Sequence, residues 1–452
     1  MNRVNVDILK NPKSALWKIS TPLFFLTLFA SVIQIVNLFW VSHLSPEAFF
    51  AFGVSQPLIA LIYGWGQSIG IGTNSLISRE IGEKNVKGQY NTILHGILAC
   101  IIIGGILALL TFFLKDILSL MNVTEYVDLA IDYLTPMLAF SFIGLLASLF
   151  TNTLQAEGNS KTPSRVIMVT SIIGVILVPI FIFILDWGIK GVAYGTILPS
   201  LLAVLYFFYL YLSGKTKVVL NLKYFKPGIV YQIYVVAFPN FFMNILWSIL
   251  GMFINSVLIN QLGEIGVLLY SSATKIQDLI SSPQSSLSNA LLTVSGQLHG
   301  AKENQKLKQM YQYVLKISLS ISIILTVIFF FIRDYGFALF SVTGAETLVF
   351  YIASLSIVIV SSENVSKVSS KMLDGLGKSY HSLILVIGLV ISEIVLIYLL
   401  SLILTSGMGV LFGIVIAELI FAVIYVFVVW SILNGENKME GRIEEKKEKL
   451  GV

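Results

Sequence analysis

Apolar residues run through this chain in twelve long stretches, each closed by a short polar turn. Their centres fall near Ala30, Tyr63, Ile102, Ala139, Ile176, Tyr206, Leu246, Ser282, Ile324, Ser361, Glu393 and Ala422. A helix rises 1.5 Å per residue, so about 20 apolar residues cross a hydrocarbon core about 30 Å thick. Every stretch is that long, and several are longer, which implies tilt or extension beyond the bilayer. The pattern predicts an all-α membrane protein with twelve transmembrane helices.

The polar turns echo one another across the chain. Leu76 to Tyr90 reads LISREIGEKNVKGQY, and Val294 to Leu307 reads VSGQLHGAKENQKL. This register sets Gly82 on Gly300, Lys84 on Lys302 and Arg79 on Gln297. The stretch from Thr153 to Ser160 falls on Met372 to Ser379, Gly191 and Gly195 fall on Gly409 and Gly413, and Asn37 falls on Asn255. Near-constant spacing at several sites is the mark of an internal duplication. Six spans per half is an even number, so both halves enter the membrane in the same sense. The expectation is two six-helix bundles related by a pseudo-two-fold axis along the membrane normal. The bounds read as 1–214 for the first bundle, 215–228 for a cytoplasmic linker, 229–433 for the second bundle and 434–452 for a cytoplasmic tail.

Charge placement fixes the expected orientation. With the first residues in the cytoplasm, 24 of the 29 Lys and Arg residues fall on the inner side, and only Lys115, Lys190 and Arg333 fall outside. Lys275 and Lys367 lie within spans. Positive residues gather on the cytoplasmic side of membrane proteins, so both termini are expected there, in a multi-pass protein of the cell membrane. The net charge of +5 is then an insertion signal, and no nucleic-acid partner is implied.

Composition agrees: 56% of residues are hydrophobic and 12% charged, about half the usual charged share of a soluble domain. The first apolar run exceeds signal-peptide length and lacks a small-residue cleavage site. The single cysteine, Cys100, excludes an intrachain disulfide. His43, His95, His299 and His381 sit at span ends without metal-ligand spacing, and no nucleophile motif is present, so neither an enzyme nor a cofactor is expected. Prolines recur in the spans, with Pro22, Pro239 and Pro283 as candidate hinges. Each removes a helix hydrogen bond, and a static kink is the competing reading.

A charge in mid-membrane is costly, so each one is a functional candidate. The first half has none near the centre of a span. The second half has Lys275, Asp278, Glu363, Lys367, Glu393 and Glu418. Glu363 and Lys367 stand at i,i+4, and Lys275 and Asp278 at i,i+3, so structural ion pairing competes with function. Glu393 and Glu418 have no basic residue in their own spans.

SREIGEKN after the second helix, GQLHGAKEN at its counterpart and LQAEGNSKTP after the fourth resemble the multidrug and toxic compound extrusion (MATE) family over nearly the whole chain. The resemblance implies a secondary antiporter that expels organic cations or amphipathic compounds against protons or sodium. A lipid-linked-saccharide flippase of the same superfamily is the alternative. The likeness also locates departures. Where many members carry a first-helix Asp this chain has Asn37, and the fifth-helix polar positions are Gly174 and Val178. Glu363 matches a tenth-helix Asp, twelve residues before Gly375, and Lys275 with Asp278 resembles a basic–acidic pair of the eighth helix. Glu393 corresponds to Gly174 in the duplication. The resemblance therefore implies ion coupling by Glu363, Glu393 and Asp278, with Lys275 and Lys367 as charge partners. Gln34, Asn37, Asn255 and Glu418 are expected to line the cavity for a small, cationic substrate.

Overall fold

The polar turns become helix stops and starts. In the computed structural model, residues 8–120, 126–218, 220, 223, 230–338, 346–404 and 407–450 are described; most of the expected linker at 215–228 lies outside them. The helices follow in order: α1 Pro12–Ser42, α2 Pro46–Gly82, α3 Val86–Leu109, α4 Leu114–Leu120, α5 Val127–Ala139, α6 Ser141–Ala156, α7 Lys161–Pro179 and α8 Ile189–Leu212. The second half contributes α9 Val230–Leu262, α10 Glu264–Gly300, α11 Asn304–Ala338, α12 Glu346–Gly375, α13 Ser379–Ser401 and α14 Met408–Leu450. No strand occurs among the described residues.

Three of the twelve expected spans are interrupted rather than straight. The third passes through a 3-10 turn, Leu110–Phe113, between α3 and α4. The fourth is bent by 48° where α5 meets α6. Pro136 lies in the last turn of α5 and cannot donate a backbone hydrogen bond, which weakens the helix there. The fifth ends in a π-helical turn, Ile180–Ile184, directly after Pro179. Among the described residues nine helices are long and apolar enough to cross a membrane, and the bent pair makes a tenth. The remaining two, α1 and α10, have 31 and 37 residues and suffice by length. Large apolar side chains face outward, among them Phe112, Phe331 and Phe427 at 80%, 74% and 72% exposure. Water would not tolerate that surface, whereas lipid does.

The chain divides into two compact units. Unit 1 comprises Met1–Val6 and Thr21–Phe241, and unit 2 comprises Asp7–Ser20 and Phe242–Val452. The division does not fall at the linker alone, because α1 begins in unit 2 and α9 begins in unit 1. Within unit 2, Lys306 Nζ donates to the Leu9 carbonyl at 3.0 Å, and Trp17 Nε1 donates to Tyr313 OH at 3.1 Å. These bonds tie the segment just before α1, and the second turn of α1, to α11.

Each unit repeats the same local geometry. At the end of α2, Lys84 N donates to Ile81 O and Asn85 N to Glu80 O. At the end of α10, Lys302 N donates to His299 O and Glu303 N to Leu298 O. Both are Schellman closures, in which a left-handed residue lets two backbone donors reach back to free carbonyls. Gly158 after α6 and Gly377 after α12 close their helices in the same way, with φ of 82° and 72°. Close helix approach is duplicated too. A Cβ on Gly195 would lie 2.6 Å from Val178 Cγ2, and one on Gly413 would lie 2.7 Å from Ile397 Cγ1. Hence α7 packs on α8 as α13 packs on α14.

Candidate functional site

Four of the mid-span carboxylates converge inside unit 2. A cavity of about 190 Å³ is lined by Asp278 of α10, Glu363 of α12, Glu393 of α13 and Glu418 of α14. Its apolar wall comes largely from α9, where Trp247, Leu250, Ile254 and Leu258 recur at helical spacing. Tyr270 and Gln277 of α10 add polar groups to the lining.

The carboxylates differ in surroundings. Glu363 is half-buried, and its Oε1 lies 2.6 Å from Lys367 Nζ one turn along α12. Glu393 and Glu418 are buried, at 2% and 3% exposure, and Glu418 Oε2 has no hydrogen-bond partner. Asp278 is exposed where it lines the cavity, and Lys275 is exposed outside the lining. Among the described residues no salt bridge of 4 Å or less joins that pair. The cavity thus gathers acids from four helices and bonds the Lys367 amine to one of them. Such a site suits a cation, either a small ion or an organic one, because each empty carboxylate favours positive charge or a proton. No three His, Cys, Asp or Glu side chains among the described residues converge as a metal-binding cluster.

The remaining expected site residues are spread more widely. Asn255 lies on α9 between lining residues, but it is not itself in the lining, and its Oδ1 is buried without a partner. Its duplicate Asn37, on α1 in unit 1, also has a buried Oδ1 without a partner. Gln34 lies in α1, and its side chain falls outside the described residues. Pro22, Pro239 and Pro283 sit inside the unbroken helices α1, α9 and α10. Unit 1 has its own cavity, of about 230 Å³, lined by Ile62, Tyr63, Gly66, Gln67, Gly144 and Ser148 with no carboxylate. At the fifth-helix positions, Val178 is fully buried and Gly174 packs against Pro199.

Tyr270, Gln277 and Trp247 were not singled out from sequence. The seven-residue step from Tyr270 to Gln277 is a usable signal, since it places both on one helix face beside Asp278. Glu157, at the end of α6, also acquires a role. Its carboxylate accepts from Lys217 N at 2.9 Å and Val218 N at 3.0 Å, while Lys217 Nζ donates to its carbonyl at 3.2 Å. Burial pushes its pKa up to about 7, against the lowering effect of those two N–H groups and the Lys217 charge. It anchors the chain where it leaves α8.

A family model described as MatE matches residues 22–180 and 239–399, more than half of the chain. The multidrug export protein MepA of Staphylococcus aureus (strain NCTC 8325 / PS 47) is 27% identical over 247 residues. That match spans 53% of this chain and 54% of MepA, about half of each. Among solved structures, a MATE in the bent conformation superposes with a TM-score of 0.92 at 27% identity, covering 98% of this chain and 100% of that one. The outward-facing conformation of a multidrug resistance MATE family transporter of the MOP superfamily gives a TM-score of 0.90 at 26% identity, covering 96% and 99%.

Proposed function

The chain belongs to the MatE family, and on that premise we propose that it is a secondary active multidrug exporter. It exchanges organic cations or amphipathic compounds for protons or sodium ions across the cell membrane, with both termini in the cytoplasm. The bundles are 1–214 and 229–433, joined by the linker 215–228, with 434–452 as a tail. One observation carries the reading: a single cavity in unit 2 is lined by carboxylates from four helices.

In this reading Glu363 is the principal coupling residue, helped by Glu393 and Asp278. Lys367 neutralises Glu363 while the site is empty and yields it to an incoming cation. The 2.6 Å contact between them supports that exchange, because both ions of the pair need a replacement partner when the bond opens. Glu418, Asn255, Asn37 and Gln34 contribute to substrate contact, and Lys275 balances charge near Asp278. Ion binding shifts the outward and inward states only if it favours one of them; Pro22, Pro239 and Pro283 are the hinges that let the states differ.

The test is ethidium movement in proteoliposomes under a proton gradient and a sodium gradient imposed separately. Export driven by one of them is expected. Movement that ignores both gradients overturns the coupling.

A further inference from the structure

Unit 2 holds a polar feature that the carboxylate cavity does not explain. Three rungs of side-chain hydrogen bonds cross between α10, α11 and α12. Gln277 Nε2 donates to Ser356 Oγ at 2.9 Å. Farther along, Gln284 Nε2 and Asn364 Nδ2 both donate to Ser322 Oγ, at 3.2 and 2.9 Å. Tyr311 OH and Ser369 Oγ meet at 2.8 Å. On α12 the rungs fall at positions 356, 364 and 369, so the ladder runs roughly 20 Å along the helix.

None of its own members is charged, but charged groups lie beside it. The first rung starts at Gln277, which lines the cavity with Asp278 and Glu363; Glu363 is bonded to Lys367. The last rung lies just before Lys371, whose amine pairs with Asp374 at 2.9 Å near the Gly375 end of α12.

The middle rung is incompletely satisfied. Ser322 accepts from two amides and donates to the Ser318 carbonyl at 2.9 Å, so it is fully used. Gln284 Oε1 and Asn364 Oδ1 in this rung remain buried without a partner, as do the hydroxyls of Ser318 and Ser366, one helical turn from Ser322 and Ser369 respectively. Gln284 and Asn364 are 0% and 1% exposed. Each such orphan costs about 1–3 kcal/mol, and native interiors leave few of them. An amide oxygen can only accept, whereas a serine hydroxyl still has a proton to give. Water meets both needs at once. A bound cation fits less well, because no carboxylate belongs to this rung to offset its charge.

We propose that this seam admits water and acts as a proton relay between the carboxylate cavity and the Gly375 end of α12. The proposal rests on the exchange reading above, with the proton as coupling ion and that end in the cytoplasm. A carboxyl in the cavity releases its proton to the first water or hydroxyl. Each member passes one proton on, and one leaves at the far end, so no charge accumulates along the seam.

Cys100 is the protein's single cysteine, which permits a direct test in a Cys100→Ala background. Ser318→Cys and Ser366→Cys probe the seam. Ile397→Cys and Val429→Cys, at fully buried positions on α13 and α14, serve as dry controls. Thiols react as thiolates, which form in water, so a small cationic methanethiosulfonate reagent should modify the seam cysteines at least about tenfold faster. Equally slow modification at all four positions overturns the proposal. Ser322→Ala should slow proton-driven ethidium export severalfold at unchanged ethidium Kd, with Ser322→Thr restoring the rate. A wet seam with wild-type export in Ser322→Ala also overturns the relay. Gradient-independent export by the unaltered protein is a different result, which removes the exchange reading itself and the relay with it.

Discussion

Lys84 and Lys302, 218 positions apart in the chain, share a left-handed backbone conformation with φ of 58° and 59°. Each closes the helix before it with the same pair of backbone hydrogen bonds. A residue with a Cβ is disfavoured in this region by about 1–2 kcal/mol, and their partners in the other closures, Gly158 and Gly377, avoid that penalty.

Lys84→Gly and Lys302→Gly are therefore expected to stabilise the protein by up to about 1 kcal/mol each, after the extra unfolded-state freedom of glycine is set against the relief. Gly158→Ala and Gly377→Ala should destabilise by about 1 kcal/mol. Thermal unfolding in detergent reads all four. Melting points that move the opposite way would show that other contacts set these turns.

Glu363→Gln keeps size and hydrogen bonding and removes the charge. Expression should persist and gradient-driven export should fall by at least about tenfold, while Asn37→Ala weakens substrate handling and leaves coupling intact. Normal export by Glu363→Gln, together with poor yield of Glu363→Ala, would make Glu363 only a structural partner of Lys367.

Glu157 carries a pH dependence of defined sign. Its pKa is about 7 in the folded protein against 4.5 for a free side chain. The folded state thus holds the proton more tightly than the unfolded chain. Its contribution is most favourable below pH 4.5, declines as pH rises towards 7 and levels off above that. The swing is on the order of 3 kcal/mol. Glu157→Gln should flatten this part of the stability profile. Parallel wild-type and variant curves from pH 4.5 to 7.5 would count against it.

Gly195→Ala and Gly413→Ala test the duplicated helix contact. Besides the side-chain approach, the new Cβ atoms would lie 2.9 Å from Val178 Cα and 2.8 Å from Ile397 N, neither of which can swing away. Each should cost about 1–3 kcal/mol, to a similar extent in both units. Loss of melting temperature in one unit's variant alone would mean that the helix pairs are not equivalent.

Much of the fold could be read along the chain because its signals are local. An apolar run ended by Gly82 or Gly300 needs no distant partner to announce a helix and its stop. Glu363, Glu393 and Glu418 stood out because a charge within an apolar run is conspicuous on its own. Their gathering around one cavity was not readable, since it depends on how α12, α13 and α14 lean on one another. The same limit hid Gln277 and Ser322. Serine and glutamine satisfy themselves within many membrane helices, so nothing in their spacing distinguishes a rung between helices from a side chain bonded to its own backbone. Lys275 and Asp278 stand at an i,i+3 spacing that suggests a pair, and nothing in that spacing tells that Asp278 lines the cavity and Lys275 does not.

The start of α1 has a consequence for biosynthesis. Residues from Leu9 to Trp17 leave the ribosome long before their hydrogen-bond partners, Lys306 and Tyr313, which are made roughly three hundred residues later. During that interval the leading turn has no settled place, because the unit to which it belongs has not been synthesised. Assembly therefore cannot proceed as one finished half followed by another. These residues are made early and dock late, and a ribosome that stalls before α11 leaves them without their partners.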